Sequence, residues 1–158
     1  MNIEPYKKCS LVGLELLKTM KIELNRINDA VNLEAVNEEG AKVVMDGSPA
    51  IGGQNLGMRP MQLLLTSLGG CSSMDVLSIL KKMQQEVEDY HVTLDGQREE
   101  GVEPSLFRKI HVHYTLKGKN LDEGKVQRAI DLSMTKYCSV AKTLESTAEI
   151  TYDFEIVR

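Results

Sequence analysis

The stretch from Met61 to Leu80 carries a single formal charge, Asp75, and its residues are apolar or small on almost every side. Large apolar side chains recur in it at the spacing of an α-helix, and Pro60 suits the first helical position. A helix that is apolar nearly all round must be covered on nearly all sides. Its polar and glycine residues favour a buried core helix over a membrane span. Because one subunit of 158 residues has little material for that cover, we expect a partner subunit to supply it.

Segments with the two-residue alternation of β-strands come both before and after this helix in the sequence. Asn120 or Asp122 caps a second helix, whose apolar side continues through Cys138 to Ala141. The predicted strands are Met20–Arg26, Val31–Ala35, Lys42–Met45, His91–Gln97, Lys109–Lys117 and Ala148–Ile156. This order of elements predicts one α+β domain over residues 20–158, with an antiparallel sheet and helices on one face.

The composition opposes several classes of function. The net charge of −4 argues against binding to nucleic acid or to an anionic membrane, since both need a basic surface. Aromatic residues make up only 4% of the chain, so a platform for base stacking is not expected. Glu15 interrupts the apolar run of the N-terminal extension, residues 1–19, which opposes a secretory signal. We therefore expect a cytoplasmic protein.

Cysteine is the residue type that points most directly to chemistry. Cys9, Cys71 and Cys138 are odd in number and far apart, which opposes a secreted disulfide framework. The chain lacks the C-x-x-C and H-x-x-x-H spacings of zinc sites, so no metal site is expected. Cys71 and Cys138 each suit either a small buried hydrophobe or a reactive thiol, and their spacing does not show that they meet.

Histidine and aspartate offer two further candidates. His111 and His113 share one face of a strand, where a solvated surface is favoured over metal binding because no further ligand is placed beside them. Asp75 lies one turn after Cys71, and it either pairs within a dimer core or tunes the thiol. A buried carboxylate raises the pKa of a nearby thiol, which opposes an activating role.

Two cysteine-containing segments resemble motifs of the OsmC/Ohr family. The first is PMQLLL at residues 60–65, followed by LGGCSSMDV at 68–76, and the second is SMTKYCSV at 133–140. The sequence EPSLF at 103–107, the second helix and the last strand also follow the family layout. The resemblance covers residues 20–157. It implies an OsmC-like fold in an intertwined homodimer, whose sheets wrap around long central helices.

The resemblance also implies a chemistry. Family members with peroxidase activity reduce organic hydroperoxides, so Cys71 is expected to attack the peroxide as a thiolate. Cys138 is then expected to resolve the resulting sulfenic acid into a disulfide. An external dithiol would regenerate both thiols by exchange, with no metal and no organic cofactor.

The hydroperoxide reductases also use an arginine and a glutamate beside the first cysteine, and here the chain departs from them. Met61 and Gln62 stand where the glutamate belongs, so Gln62 is expected in the catalytic site without a charge. Arg26 in the first hairpin is the expected catalytic arginine. Arg59 is a second candidate, and it is expected to line the substrate pocket with Met61 and Met74. The missing glutamate favours the alternative of a weakly active or non-catalytic protein that binds an apolar or electrophilic ligand at the dimer interface.

Overall fold

The structure is a computed structural model, which describes residues 19–157. The predicted N-terminal extension, with Cys9, lies outside the described residues apart from Thr19. The chain forms two compact units that divide after Gly57.

The N-terminal unit is an antiparallel meander of three strands. The strands are β1 (Ile22–Arg26), β2 (Leu33–Asn37) and β3 (Lys42–Met45), close to the places that the sequence predicts. Asn28 makes the first turn, because its Oδ1 accepts hydrogen bonds from the backbone N–H groups of Ala30 at 2.9 Å and Asn32 at 3.2 Å. The predicted loop after β3 contains one short 3₁₀ turn, Pro49–Ile51.

The C-terminal unit consists of one long helix, two shorter helices and a three-stranded sheet. Its elements are α1 (Pro60–Lys82), β4 (Asp89–Arg98), β5 (Phe107–Lys117), α2 (Glu123–Leu132), α3 (Ser139–Leu144) and β6 (Glu149–Val157), with β5 in the middle of the sheet. α1 begins at Pro60 as predicted, because the first helical position needs no N–H donor. Asp122 caps α2, since its Oδ1 accepts a hydrogen bond from the N–H of Lys125 at 2.8 Å.

The sheet of the C-terminal unit is mixed, whereas the sequence analysis predicts an antiparallel one. β4 and β5 are antiparallel, but β6 runs parallel to β5, with Ile110 opposite Ile150 and Tyr114 opposite Phe154. The chain between β5 and β6 passes through α2 and α3, and a helical crossover of this kind returns the chain to the same end of the sheet. The parallel pairing is therefore a consequence of the helical segment that contains Cys138.

Alternate residues of β5 form the centre of the core. Ile110, Val112, Tyr114 and Leu116 are buried, as the two-residue alternation predicts. They belong to one apolar cluster with buried residues of α1, α2 and α3. Burial of this much apolar surface is the main force that holds the helices against the sheet.

α1 leaves much of its apolar surface uncovered. Only 28% of its most apolar segment is buried, and Met74 and Leu77 are 74% and 38% exposed. By length and composition alone the helix could cross a membrane. The cover that the sequence analysis expects on all sides is thus not supplied within the described chain.

Candidate functional site

Cys71 lies within α1, about three turns from the first residue of the helix. Gly69 and Gly70 precede it without breaking the helix. Gly69 permits close packing, because a Cβ atom there would lie 2.7 Å from Cδ1 of Leu94 on β4. Cys71 is half-buried, and the positive potential of the helix N-terminus has faded at its depth.

Cys138 lies at a break between helices, where the sequence analysis predicts one continuous helix. That prediction is wrong, because α2 ends at Leu132 and a π-helical turn, Ser133–Tyr137, follows it. The N–H of Cys138 donates to the carbonyl oxygen of Ser133 at 2.8 Å, which places one extra residue in the turn. Cys138 has an extended backbone and caps α3, with its Sγ accepting a hydrogen bond from the N–H of Ala141 at 3.3 Å.

Three side chains from these elements meet at one point. The Sγ atoms of Cys71 and Cys138 and a carboxylate oxygen of Asp75 all lie within 4.8 Å of one another. Cys71 and Asp75 are neighbours because residues i and i+4 share one face of a helix. Within residues 19–157, no other three histidine, cysteine, aspartate or glutamate side chains form such a group. The two cysteines that the family resemblance pairs are therefore close together.

Ser133 holds the carboxylate of Asp75. Ser133 is fully buried, and its Oγ lies 3.2 Å from Oδ2 of Asp75 and 3.3 Å from the carbonyl oxygen of Ser72. Its single O–H can donate to either acceptor. No local sequence pattern indicates Ser133, although it belongs to the second cysteine segment, because its partner on α1 is distant in sequence.

Burial raises the pKa of the Cys138 thiol to about 11. The N–H of Ala141 acts in the opposite direction, and the nearby thiol of Cys71 adds to the rise. The residue is only 3% exposed. Cys138 is therefore a neutral thiol near pH 7.

An open hollow of about 240 Å³ lies at the surface beside Cys138. It is lined by Lys136, Tyr137, Cys138, Ser139, Lys142 and Thr143. Of the two lysines in its wall, Lys142 is paired with Glu145.

The residues that stand in place of the family glutamate lie at the start of α1. Gln62 accepts a hydrogen bond from the backbone N–H of Arg59 at 2.8 Å, so its side chain caps the helix. Because a helix rises 1.5 Å per residue, Gln62 lies about 13 Å from Cys71 along the axis, and Met61 lies slightly further. One subunit therefore does not bring these residues to the thiol, and their roles stay predictions. Met74 lies on α1 close to Cys71, and its side chain is exposed.

Arg26 ends β1 in the N-terminal unit, where it pairs with Leu33 of β2 and is exposed. Cys71 belongs to the C-terminal unit. The expected approach of Arg26 to the thiol stays a prediction.

His111 and His113 lie on the outer face of β5, where β6 places acidic partners that the sequence analysis missed. Nδ1 of His113 lies 2.5 Å from Oδ1 of Asp153, and Nε2 of His111 lies 3.4 Å from the same oxygen. The hydrogen bond between His113 and Asp153 raises the pKa of His113 and lowers the pKa of Asp153. The parallel pairing of β6 with β5 creates this contact, and no local sequence pattern indicates it.

Sequence comparison finds relatives over most of the chain. Residues 52–153 match the family model described as OsmC-like protein. Protein YhfA of Escherichia coli K12 is 42% identical over 118 residues, which cover 75% of this chain and 84% of YhfA.

Solved structures share the fold. A hypothetical protein from Aquifex aeolicus VF5 is 30% identical with a TM-score of 0.73, over 90% of this chain and 100% of that one. An organic hydroperoxide resistance protein OsmC from Legionella pneumophila has a TM-score of 0.67, over 88% of this chain and 98% of that one. Its sequence identity is 13%, so this second likeness concerns the fold alone.

Proposed function

The chain belongs to the OsmC-like protein family, and on that premise we propose that it is a thiol-dependent peroxidase that reduces organic hydroperoxides through Cys71 and Cys138. The observation that carries the proposal is the proximity of the two thiols, whose Sγ atoms lie within 4.8 Å of each other. A disulfide bond is about 2.05 Å long. Closing the disulfide therefore requires the two sulfurs to move together by less than about 3 Å.

The reaction starts at Cys71, the more accessible of the two thiols. Its thiolate attacks one peroxide oxygen, the O–O bond breaks, and the alkoxide leaves and takes a proton to become an alcohol. The sulfur is oxidised to a sulfenic acid. Cys138 then attacks this sulfur, and a disulfide forms with release of water.

The buried, neutral state of Cys138 keeps it out of the first step. As a neutral buried thiol it does not compete for peroxide at neutral pH, because the thiolate is the nucleophile. Once Cys71 is a sulfenic acid, its neighbour needs to travel only a short distance. An external dithiol returns both residues to thiols by exchange, and the hollow beside Cys138 gives it a point of approach.

A homodimer completes the proposed site. The uncovered apolar surface of α1, with Met74 near the thiol, suits contact with a second copy and with an apolar peroxide. In such a dimer we expect Arg26, Arg59, Gln62 and Met61 to act at the thiol site. The cytoplasm is the proposed compartment, because dithiol reductants are maintained there.

The test is consumption of cumene hydroperoxide with dithiothreitol, comparing the wild type with Cys71→Ser, Cys138→Ser and Cys9→Ser. We expect turnover in the wild type and in Cys9→Ser, and none above the reductant alone in Cys71→Ser. Cys138→Ser should accumulate a sulfenic acid at Cys71, detectable by dimedone labelling and mass spectrometry. Peroxide consumption that persists in Cys71→Ser, or is absent from the wild type, would contradict the proposal.

A ligand-binding protein is the alternative, and one observation favours it. The side-chain oxygen of Gln62 accepts a hydrogen bond from the backbone N–H of Arg59, so this side chain is engaged in capping α1. A wild type without turnover that binds an apolar or electrophilic compound, with protection of Met74 from oxidation, would support this alternative.

A further inference from the structure

The cluster of Cys71, Asp75 and Cys138 contains metal ligands as well as reactive groups. Thiolates and carboxylates are both ligands that Zn²⁺ takes in proteins. Thiolates at 2.3 Å from a tetrahedral ion lie about 3.8 Å apart, and the three ligand atoms here already lie within 4.8 Å. We propose that the reduced protein binds one Zn²⁺ through Cys71 Sγ, Cys138 Sγ and a carboxylate oxygen of Asp75.

The proposed site goes beyond the peroxidase function and does not depend on it. It also runs against the sequence prediction of no metal site, which rests on ligand spacings along the chain. The fold supplies the ligands differently: two come from one face of α1, and the third comes from the break before α3. A zinc site of this kind has no local sequence signature.

Ser133 lies next to the carboxylate ligand. Its buried Oγ is 3.2 Å from Oδ2 of Asp75, close enough to donate a hydrogen bond that orients the carboxylate. Metal-binding carboxylates in proteins are usually held by such an outer hydrogen bond, and its loss weakens binding by about 10- to 100-fold. Ser133 therefore lies where it can support the carboxylate that binds the ion.

The charges also favour an ion. Two thiolates and one carboxylate place three negative charges together, an arrangement that a divalent cation stabilises. On binding, each thiol loses its proton to water, and the two positive charges of Zn²⁺ leave a net charge of −1. Affinity should fall as pH falls, because protons compete for the thiolates.

Zinc binding and disulfide formation exclude each other at this site. The ion needs both sulfurs as deprotonated ligands, and the same two sulfurs form the disulfide. The disulfide form offers no thiolate ligand. The proposed site therefore binds the ion only in the reduced protein.

The experiment titrates Co²⁺, a spectroscopic substitute for Zn²⁺, into full-length reduced Cys9→Ser protein without oxygen or peroxide. We expect one Co²⁺ per chain, with sulfur-to-cobalt charge-transfer absorption and the visible bands of tetrahedral Co²⁺, and displacement by Zn²⁺. Alkylation of the reduced protein with iodoacetamide should abolish the signal without any further substitution.

Four variants assign the ligands. Cys71→Ser and Cys138→Ser should weaken binding by at least about 100-fold, and Asp75→Asn and Ser133→Ala by about 10- to 100-fold. Asp131→Asn is the matched carboxylate control, since Asp131 bonds to Tyr152 Oη at 3.1 Å and not to the thiols. It should leave the affinity unchanged.

Three results would overturn the site. They are the absence of sulfur-to-cobalt absorption from the reduced protein, its survival after alkylation, and an affinity that Asp75→Asn leaves unchanged. Circular dichroism shows whether a variant loses the signal because it misfolds. The alkylation result on the Cys9→Ser protein tests the site without any of these variants. Peroxidase assays are run separately with a chelator, so failure of either proposal is seen independently.

Discussion

The buried thiol of Cys138 should ionise far above the pH at which ordinary cysteines do. Its pKa is raised from 9.0 to about 11, chiefly by burial. Below both values, each pKa unit lowers the thiolate fraction tenfold, so the thiolate of Cys138 is about 100-fold scarcer than that of an ordinary thiol. At pH 7 about one Cys138 in ten thousand is ionised. The pKa of Cys138 is therefore tested by varying the pH.

The assay is pulsed alkylation of the reduced Cys9→Ser protein across a pH series, followed by mass spectrometry of the peptide that contains Cys138. The logarithm of its alkylation rate should rise with unit slope through pH 9 and level off only near pH 11. The pH midpoint is the readout, because the absolute rate also depends on access to the sulfur. Circular dichroism at each pH confirms that the protein is still folded, and the same peptide in guanidinium provides the reference midpoint.

A second variant separates the causes. Cys71→Ala removes the neighbouring thiol but leaves the burial, so the midpoint of Cys138 should move down and stay above 9. A midpoint at or below 9 in the intact protein would refute the reasoning. A return to the guanidinium reference in Cys71→Ala would show instead that the neighbouring thiol, not burial, is the main cause.

Three further predictions concern the fold around the site. Leu68→Ala removes a fully buried side chain and should lower the free energy of unfolding by about 2–5 kcal/mol, measured by urea denaturation; a loss below about 1 kcal/mol would contradict its place in the core. Asp122→Ala removes the cap of α2 and should cost about 0.5–2 kcal/mol in the same assay, whereas the neighbouring Glu123→Gln should cost little. His113 should titrate above pH 6.5 by NMR, so its stabilising effect is present below that pH and is lost as pH rises through its folded pKa. Asp153→Asn should lower the pKa of His113, and an unchanged value would exclude Asp153 as the cause.

The sequence was most informative where local periodicity and caps act alone. The start of α1 at Pro60, the buried face of β5 and the cap of α2 at Asp122 are all confirmed. Each depends on residues within one element, so the chain pattern contains the information.

Predictions that depend on contacts between distant elements were less successful. The direction of β6 and the acidic partners of His111 and His113 follow from a crossover that alternation along a strand does not encode. The break at Cys138 was missed because apolar spacing continues across it, while the backbone changes conformation. The meeting of the two thiols was implied by family resemblance, since their spacing along the chain contains no such information. Asp75 was recognised as a neighbour of Cys71, but its link to Ser133 needed the tertiary structure.

Because a π-helical turn lies between α2 and α3, the number of residues in this connection determines the geometry of the site. A π turn is a helix that has absorbed one additional residue, so deleting one residue between Ser133 and Cys138 would let the segment close into regular α-helix. Each residue of an α-helix advances by about 100° around the axis. The sulfur of Cys138 would then turn away from α1, with every side chain of the site still present in the sequence. A one-residue deletion within residues 134–137 should therefore separate the thiols as effectively as replacing a cysteine, and the number of residues determines this site as much as their identities do.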